Sequence, residues 1–142
     1  MTTKTGGCLC GAVRFEAEGV EEGFGICHCG MCRRWTGGVY AATQTKVVRF
    51  TAGEDRVKTY TSSDWAERGF CGECGSNLFY RITLEGPMKG ATHLALGSLD
   101  ELEGMTLETE LYVDLQPACL RDGEAKNRLT EAQVMAMFAP PE

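Results

Sequence analysis

Seven of the eight cysteines in this 142-residue chain fall into three tight clusters. The clusters are Cys8-x-Cys10, Cys27-x-Cys29-x-x-Cys32 and Cys71-x-x-Cys74. Sulfur atoms two or three residues apart can point at one common atom, and a neighbouring glycine lets the backbone turn its N–H groups toward them. This spacing is typical of a metal site, and zinc is the usual metal for an all-thiolate site. Disulfide pairing is the alternative interpretation.

The number of clustered cysteines predicts two different metal sites. A closed structural zinc site takes four protein ligands, whereas a catalytic site usually takes three and leaves one position open. The 27–32 cluster can supply three ligands by itself, and the two remaining pairs then complete a four-thiolate site across the fold. We expect Cys8 and Cys10 to share one face of an extended strand, since strand side chains alternate. We expect Cys71-x-x-Cys74-Gly75 to form a zinc-knuckle turn.

Length and charge limit the possible classes of protein. At 142 residues the chain is expected to be a single domain, 1–142. Its net charge of −6 and the lack of a Lys/Arg stripe predict no nucleic-acid binding. No stretch is long enough to span a membrane, and residues 1–7 lack the apolar run of a secretory signal. We therefore expect a cytoplasmic protein, in which thiols stay reduced and cysteine clusters favour metal.

The sequence predicts a mostly-β fold of short antiparallel strands joined by glycine-containing turns. The expected strands are 13–17, 39–51, 57–61, 77–84, 93–96 and 107–113. A short C-terminal helix is expected because Thr130 and Gln133 fit a capping box. Val134, Met137 and Phe138 are expected to form its apolar face, and Met135 and Met137 are expected to pack in the core. A second helical turn is expected after Cys29, ending at Gly37-Gly38.

Four segments resemble a known family. They are GCLCGAVRF at 7–15, CHCGMCRRWTG at 27–37, FCGECGSNL at 70–78 and GSLD at 97–100. In this order they resemble the glutathione-dependent formaldehyde-activating enzyme family, which includes centromere protein V.

The resemblance implies a fold, two metals and an activity. The fold is an all-β, zinc-stabilised, Mss4-like tent of sheets. The implied ligands are Cys8, Cys10, Cys71 and Cys74 for a structural zinc, and Cys27, Cys29 and Cys32 for a second, catalytic zinc. The implied activity is that of a carbon–sulfur lyase, which condenses formaldehyde with glutathione to S-hydroxymethylglutathione. A small thiol and an aldehyde are thus the expected partners.

Several residues near the clusters are candidates for other roles. Arg33 and Arg34 are candidate substrate-binding residues, since either could hold a glutathione carboxylate; the alternative is a surface arginine. His28 is expected to point away from the metal as a loop residue, with proton transfer as the weaker alternative. His93 is expected to be a hydrogen-bonded core histidine. Trp35 is expected to cover the metal loop.

One position departs from the family's pattern. Relatives tend to carry Trp after the Pro-Ala of the C-terminal segment, whereas Cys119 follows Pro117-Ala118 here. We expect Cys119 to be a small buried apolar residue. A fourth metal ligand or a substrate-responsive thiol is the alternative.

Zinc with three thiolates carries a formal charge of −1, which suits reversible exchange of a soft fourth ligand such as a thiolate. Two other functions stay open: a non-catalytic zinc module that binds a protein partner, and a redox sensor that releases zinc on oxidation. A purely structural module has no need of the 27–32 cluster, which favours the lyase.

Overall fold

A computed structural model of the chain describes residues 2–121 and 124–138. The strands are β1 Thr2–Gly7, β2 Arg14–Val20, β3 Gly23–Cys27, β4 Tyr40–Thr45, β5 Val47–Ala52, β6 Val57–Thr61, β7 Ala66–Cys71, β8 Asn77–Ile82, β9 Thr92–Ala95 and β10 Thr106–Leu111. The helices are α1 Gly30–Thr36 and α2 Glu131–Met137. The predicted mostly-β fold with a short C-terminal helix is confirmed. No helix in these ranges has the length and apolar character needed to cross a bilayer.

The strands form two sheets. One has the order β1-β2-β5, and the other has the order β10-β3-β4-β9-β8-β7-β6. Neighbouring strands are antiparallel except at one edge, where β10 runs parallel to β3. The expectation of antiparallel strands is wrong for this pair. Strand β10 is reached from β9 through residues 96–105, and a long connection of this kind allows parallel pairing where a hairpin does not.

The predicted strand 39–51 is in fact two strands, and they lie in different sheets. Strand β4 ends at Thr45 and β5 begins at Val47, so one residue separates them. Buried hydroxyls join the sheets at this corner: Thr43 donates to the Glu21 carbonyl (2.6 Å) and Thr45 to the Glu18 carbonyl (2.8 Å). The composition of the segment predicts extended backbone but does not show where the chain changes sheets.

The main core fills the space between the two sheets. Its buried members are Cys8, Val13, Phe15, Ala17, Val20, Cys71, Leu78, Phe79, Leu94 and Leu99. Gly69 allows β7 to lie against the Phe79 ring, since an added Cβ would come within 2.2 Å of Cζ of that ring. Cys8 of the first cysteine pair and Cys71 of the last pair belong to this core. The packing of the fold therefore positions these two sulfurs.

The C-terminal helix begins as predicted but packs differently. The Thr130 hydroxyl accepts the Gln133 N–H (3.2 Å), and the Gln133 side chain accepts the Thr130 N–H (2.8 Å). The expectation that Met135 and Met137 pack in the core is wrong, because they are 63% and 67% exposed. Val134 and Phe138 on the apolar face are also exposed, by 37% and 76%. Among the described residues that follow Leu99, none is buried. Capping and periodicity define a helix and its apolar face, but they do not supply a surface to cover it.

Candidate metal centres

The sulfurs of Cys8, Cys10, Cys71 and Cys74 form a four-cysteine cluster, in which all ligand atoms lie within 4.8 Å of one another. The Sγ atoms of Cys8 and Cys10 are 3.5 Å apart, and those of Cys10 and Cys71 are 3.9 Å apart. A disulfide requires about 2.05 Å, whereas a tetrahedral metal with bonds of about 2.3 Å separates its sulfurs by about 3.8 Å. The cysteines are free thiols at metal-ligand separations, and the cluster could hold a metal ion.

Both cysteine pairs of this cluster lie in turns that end at a glycine with positive φ. Gly11 has φ of 80° and donates its N–H to the Cys8 carbonyl, and Gly75 has φ of 78° and donates to the Cys71 carbonyl. The predicted turn at 71–75 is therefore present. The expectation that Cys8 and Cys10 share a strand face is wrong, because β1 ends at Gly7. An extended strand would carry the two sulfurs past the opposite pair, whereas a turn brings them toward it.

Hydrogen bonds to two sulfurs of the four-cysteine cluster, those of Cys8 and Cys74, favour their anionic forms. The Val13 N–H donates to Cys8 Sγ (3.2 Å), and the Ser76 hydroxyl lies 3.2 Å from Cys74 Sγ. Hydrogen bonds from Ser76 lower the pKa of Cys74 to about 5. Metals bind thiolates, so these contacts prepare the cluster for a cation.

The sulfurs of Cys27, Cys29 and Cys32 form a three-cysteine cluster within the same 4.8 Å limit. Cys27 ends β3, Cys29 caps the N-terminus of α1, and Cys32 lies in its first turn. The Cys29 sulfur accepts the Cys32 N–H (3.3 Å), which fixes the loop against the helix. Helix α1 ends at Gly37 with φ of 78°, as predicted.

The three-cysteine cluster has the donor set of an open metal site. Among residues 2–121 and 124–138, no fourth Cys, His, Asp or Glu joins it. Three cysteines within six residues match the number of protein ligands in a catalytic zinc site, which leaves one position open. The structure groups the seven cysteines as predicted, with four in one cluster and three in the other.

A cleft of about 760 Å³ opens on the three-cysteine cluster. Its lining includes the aromatic and polar side chains of Tyr40, Trp65, Arg68, Tyr80 and His93. Glu21 and Glu108 also line it. The volume lies within the range of small-molecule sites, so the cluster faces a space that can hold a ligand.

Arg68 is a site residue that the sequence reasoning missed. It is 2% exposed, and its two terminal nitrogens lie 3.5 and 3.6 Å from Cys32 Sγ. Burial raises the pKa of the Cys32 thiol to about 12, and hydrogen bonds from Arg68 oppose that increase. Strand alternation gave the only signal, since it places Arg68 on the same face of β7 as the buried Ala66.

Arg33 and Arg34, the predicted substrate-binding residues, lie exposed on α1 and do not line the cleft. Their substrate role stays a prediction. Trp35 is half-buried and packs edge-to-face on Tyr40, with 5.4 Å between ring centroids. It also lies 5.0 Å from the Arg68 guanidinium, so it packs beside the metal loop.

The two histidines differ from each other. His28 is 6% exposed, and its Nε2 lies 2.8 Å from Oε1 of Glu110 on β10. His93 lines the cleft, and its Nδ1 is buried without a hydrogen-bond partner among the described residues. The expectation of a hydrogen-bonded core histidine is therefore wrong. Burial lowers the pKa of His93, because the charged imidazolium loses solvation there.

The expectation that Cys119 is buried is also wrong. It is exposed, in the short 3-10 helix Ala118–Leu120. Its sulfur joins neither of the cysteine clusters found in the described part of the chain. The residues around it lie on the surface, so no core is available to enclose a small apolar side chain.

The chain is similar to known proteins in sequence and in fold. A protein from Schizosaccharomyces pombe described as an uncharacterized lyase is 28% identical over 135 residues, which cover 95% of this chain and 96% of the yeast protein. A crystal structure of a Rhodobacter sphaeroides protein shares the fold, with a TM-score of 0.57 and 21% identity over 75% of this chain and 98% of that one. The family model described as glutathione-dependent formaldehyde-activating enzyme matches residues 3–115, which include both cysteine clusters. The chain therefore belongs to the glutathione-dependent formaldehyde-activating enzyme family.

Proposed function

We propose that the protein is a zinc-dependent carbon–sulfur lyase that forms and cleaves the hydroxymethyl adduct of glutathione or of a related small thiol. The observation that carries this proposal is the three-cysteine cluster without a fourth protein ligand among the described residues, placed at a cleft of about 760 Å³. Family membership and the yeast relative described as a lyase support the same class of reaction.

Two zinc ions with different roles fit the two clusters. Cys8 and Cys71 belong to the core, so a zinc ion on the four-cysteine cluster is part of the folding energy. Cys27, Cys29 and Cys32 would hold the second zinc ion, which would leave one position for exchange and would lower the pKa of a thiol bound there.

The reaction is an addition without change of oxidation state. The thiolate sulfur attacks the carbonyl carbon, a carbon–sulfur bond forms, and the π electrons of the carbonyl move to oxygen. That oxygen takes up one proton, which balances the proton released by the thiol. Tyr80 and His93 line the cleft and are the side chains suited to exchange this proton. The Tyr40 hydroxyl already donates to the His93 carbonyl (3.3 Å) and orients this wall.

The cleft supports selectivity for the thiol rather than for the aldehyde. Formaldehyde is far smaller than the 760 Å³ available, so most wall contacts fall to the thiol partner. The aromatic side chains Tyr40, Trp65 and Tyr80 line the cleft, and we propose that they hold the thiol near the cluster. We propose glutathione as this partner, and a cytoplasmic location where it is abundant. A role of Arg33 or Arg34 in holding a glutathione carboxylate stays a prediction.

Exchange spectroscopy by NMR tests the proposed activity. Zinc-loaded protein should accelerate interconversion of glutathione, formaldehyde and S-hydroxymethylglutathione beyond the uncatalysed rate. Cys29→Ser should lose the acceleration, because one ligand of the open site is removed. Cys119→Ser is the matched control and should keep it, since Cys119 is exposed and joins neither cluster. An unchanged exchange rate with fully loaded protein would exclude this activity.

A further inference from the structure

Arg68 contacts the three-cysteine cluster at one sulfur only. Both terminal nitrogens of its guanidinium donate to Cys32 Sγ, at 3.5 and 3.6 Å. A forked arrangement of two donors on one acceptor restricts the direction of that acceptor more than a single hydrogen bond does. Cys32 is the most buried of the three cysteines, at 5% exposure, so its sulfur is held from the protein side of the cleft.

The burial of Arg68 requires a negative partner. A guanidinium keeps its charge at every physiological pH, and a buried cation without a partner is strongly destabilising. Within residues 2–121 and 124–138, no Asp or Glu oxygen lies within 4.0 Å of Arg68. The sulfur of Cys32 is therefore the group placed to compensate this charge, as the thiolate that it would become on binding a metal.

Two aromatic rings hold the guanidinium in place. Its central carbon lies 5.0 Å from the Trp35 ring centroid and 5.1 Å from that of Tyr80. Arg68 and Tyr80 are also paired across β7 and β8, which fixes their relative position through the sheet. Cation–π contact stabilises the charge without supplying a competing anion. The arginine is thus a fixed positive charge directed at the cysteines.

The charge of the site follows by addition. Three thiolates and a divalent metal would give −1, a charge that allows a soft thiolate ligand to exchange but weakens its binding by repulsion. Arg68 would raise the sum to zero and so strengthen that binding. We propose that Arg68 is a positioning residue that fixes Cys32 and supplies the charge through which the three-cysteine site selects an anionic thiolate over a neutral fourth ligand. This inference rests on one part of the proposed function, the presence of a divalent metal at the three cysteines.

Ligand binding to the cobalt-substituted protein tests this role without measuring turnover. Cobalt(II) has visible absorption that changes when its fourth ligand changes, and a closed four-cysteine site has no position to exchange. The two probes are 2-mercaptoethanol, which binds as a thiolate and carries no carboxylate, and imidazole, which binds as a neutral nitrogen donor. Neither probe can gain affinity from an arginine–carboxylate contact.

Arg68→Met removes the charge and keeps an unbranched apolar side chain between the rings. We expect its affinity for 2-mercaptoethanol to fall by about tenfold or more, with less than about a threefold change for imidazole. Arg68→Lys keeps the charge but loses the pair of N–H donors. Its affinity for 2-mercaptoethanol should lie between those of the wild type and Arg68→Met. Arg81→Met is the matched control, since Arg81 also lies over an aromatic ring, Phe79 at 4.3 Å, but bonds to Glu67.

The two probes separate charge selection from general packing. Equal losses for both ligands in Arg68→Met, or no loss for either, would overturn the inference. The comparison is read from metal-bound protein, so a partly unfolded sample does not alter the ratio of affinities. If Arg68→Met does not fold, the same comparison in Arg68→Lys decides. Wild-type protein that binds thiolate selectively but does not accelerate formaldehyde exchange would contradict the proposed function and leave this inference standing.

Discussion

Nε2 of His28 lies 2.8 Å from Oε1 of Glu110, across 82 positions of sequence. This contact joins the loop of the three-cysteine cluster to β10, the parallel edge strand. The His28 N–H also donates to the Leu111 carbonyl (2.9 Å), so side chain and backbone bind the loop to the same strand. His28 does not act on the metal in this arrangement; it holds the loop in which Cys27 and Cys29 lie.

Glu110→Ala should weaken metal retention at the three-cysteine cluster while leaving the fold intact. Loss of one partly exposed hydrogen bond costs about 1 kcal/mol, which corresponds to roughly fivefold faster release of the labile metal. Release is measured with a chromogenic chelator. Glu54→Ala, an exposed carboxylate far along the chain, is the control. Equal release rates in all three proteins would show that β10 does not hold the loop.

The protein purified without chelator should contain two zinc ions per chain, one tightly bound and one labile. The reason is the grouping of seven sulfurs into a closed set of four and an open set of three. Elemental analysis before and after mild chelation gives both values. A single metal per chain, or iron in place of zinc, would be incompatible with the two-site assignment.

Cys71→Ser should prevent stable folding, whereas Cys29→Ser should remove only the labile metal. Cys71 is fully buried in the core, and metal binding at a structural site contributes on the order of 10 kcal/mol to folding. Cys29 lies in a partly exposed loop beside the cleft. Thermal unfolding of both variants measures how much each substitution destabilises the fold, and Cys119→Ser is the control. Similar destabilisation by the two substitutions would contradict the division of roles.

The ion pair between Arg14 and Asp100 makes a prediction about pH. Hydrogen bonds from Arg14 and then Thr5 lower the pKa of Asp100 to about 2. A carboxylate with a lowered folded-state pKa stabilises the fold above its unfolded pKa of about 4, and this contribution is lost as pH falls toward 2. The difference in unfolding free energy between the wild type and Asp100→Asn should therefore stay constant from pH 8 to 5. Its size is small, because both side chains are exposed by about 40%.

Denaturant unfolding at several pH values measures this difference, and it should begin to shrink only below about pH 4. Metal loss at low pH affects both proteins alike and cancels in the comparison. A difference that already declines between pH 7 and 5 would show that another group titrates with the ion pair. Arg14→Gln removes the same contact from the other side and should give the same pH profile.

Local patterns were sufficient for the features that local geometry controls. The spacing of the cysteines predicted two sites, and the turns at Gly11 and Gly75 bring each pair of sulfurs together within a few residues. The capping box at Thr130 predicted the start of α2 for the same reason, since donor and acceptor are three residues apart. The order of the motifs also sufficed to identify the family.

Features that depend on distant contacts were decided by the tertiary structure alone. Alternation along β7 can place Arg68 on an inner face, but only the packed sheet brings its guanidinium to Cys32, 36 residues away. The contact between His28 and Glu110 arises because β10 returns parallel to β3. Phe138 is exposed because no described part of the chain covers it. The sequence by itself determined which seven cysteines group together and how they divide, because ligand spacing is short-range chemistry. The contact of Arg68 with Cys32 and the contact of His28 with Glu110 join residues that are far apart in sequence. They therefore depend on how the sheets pack.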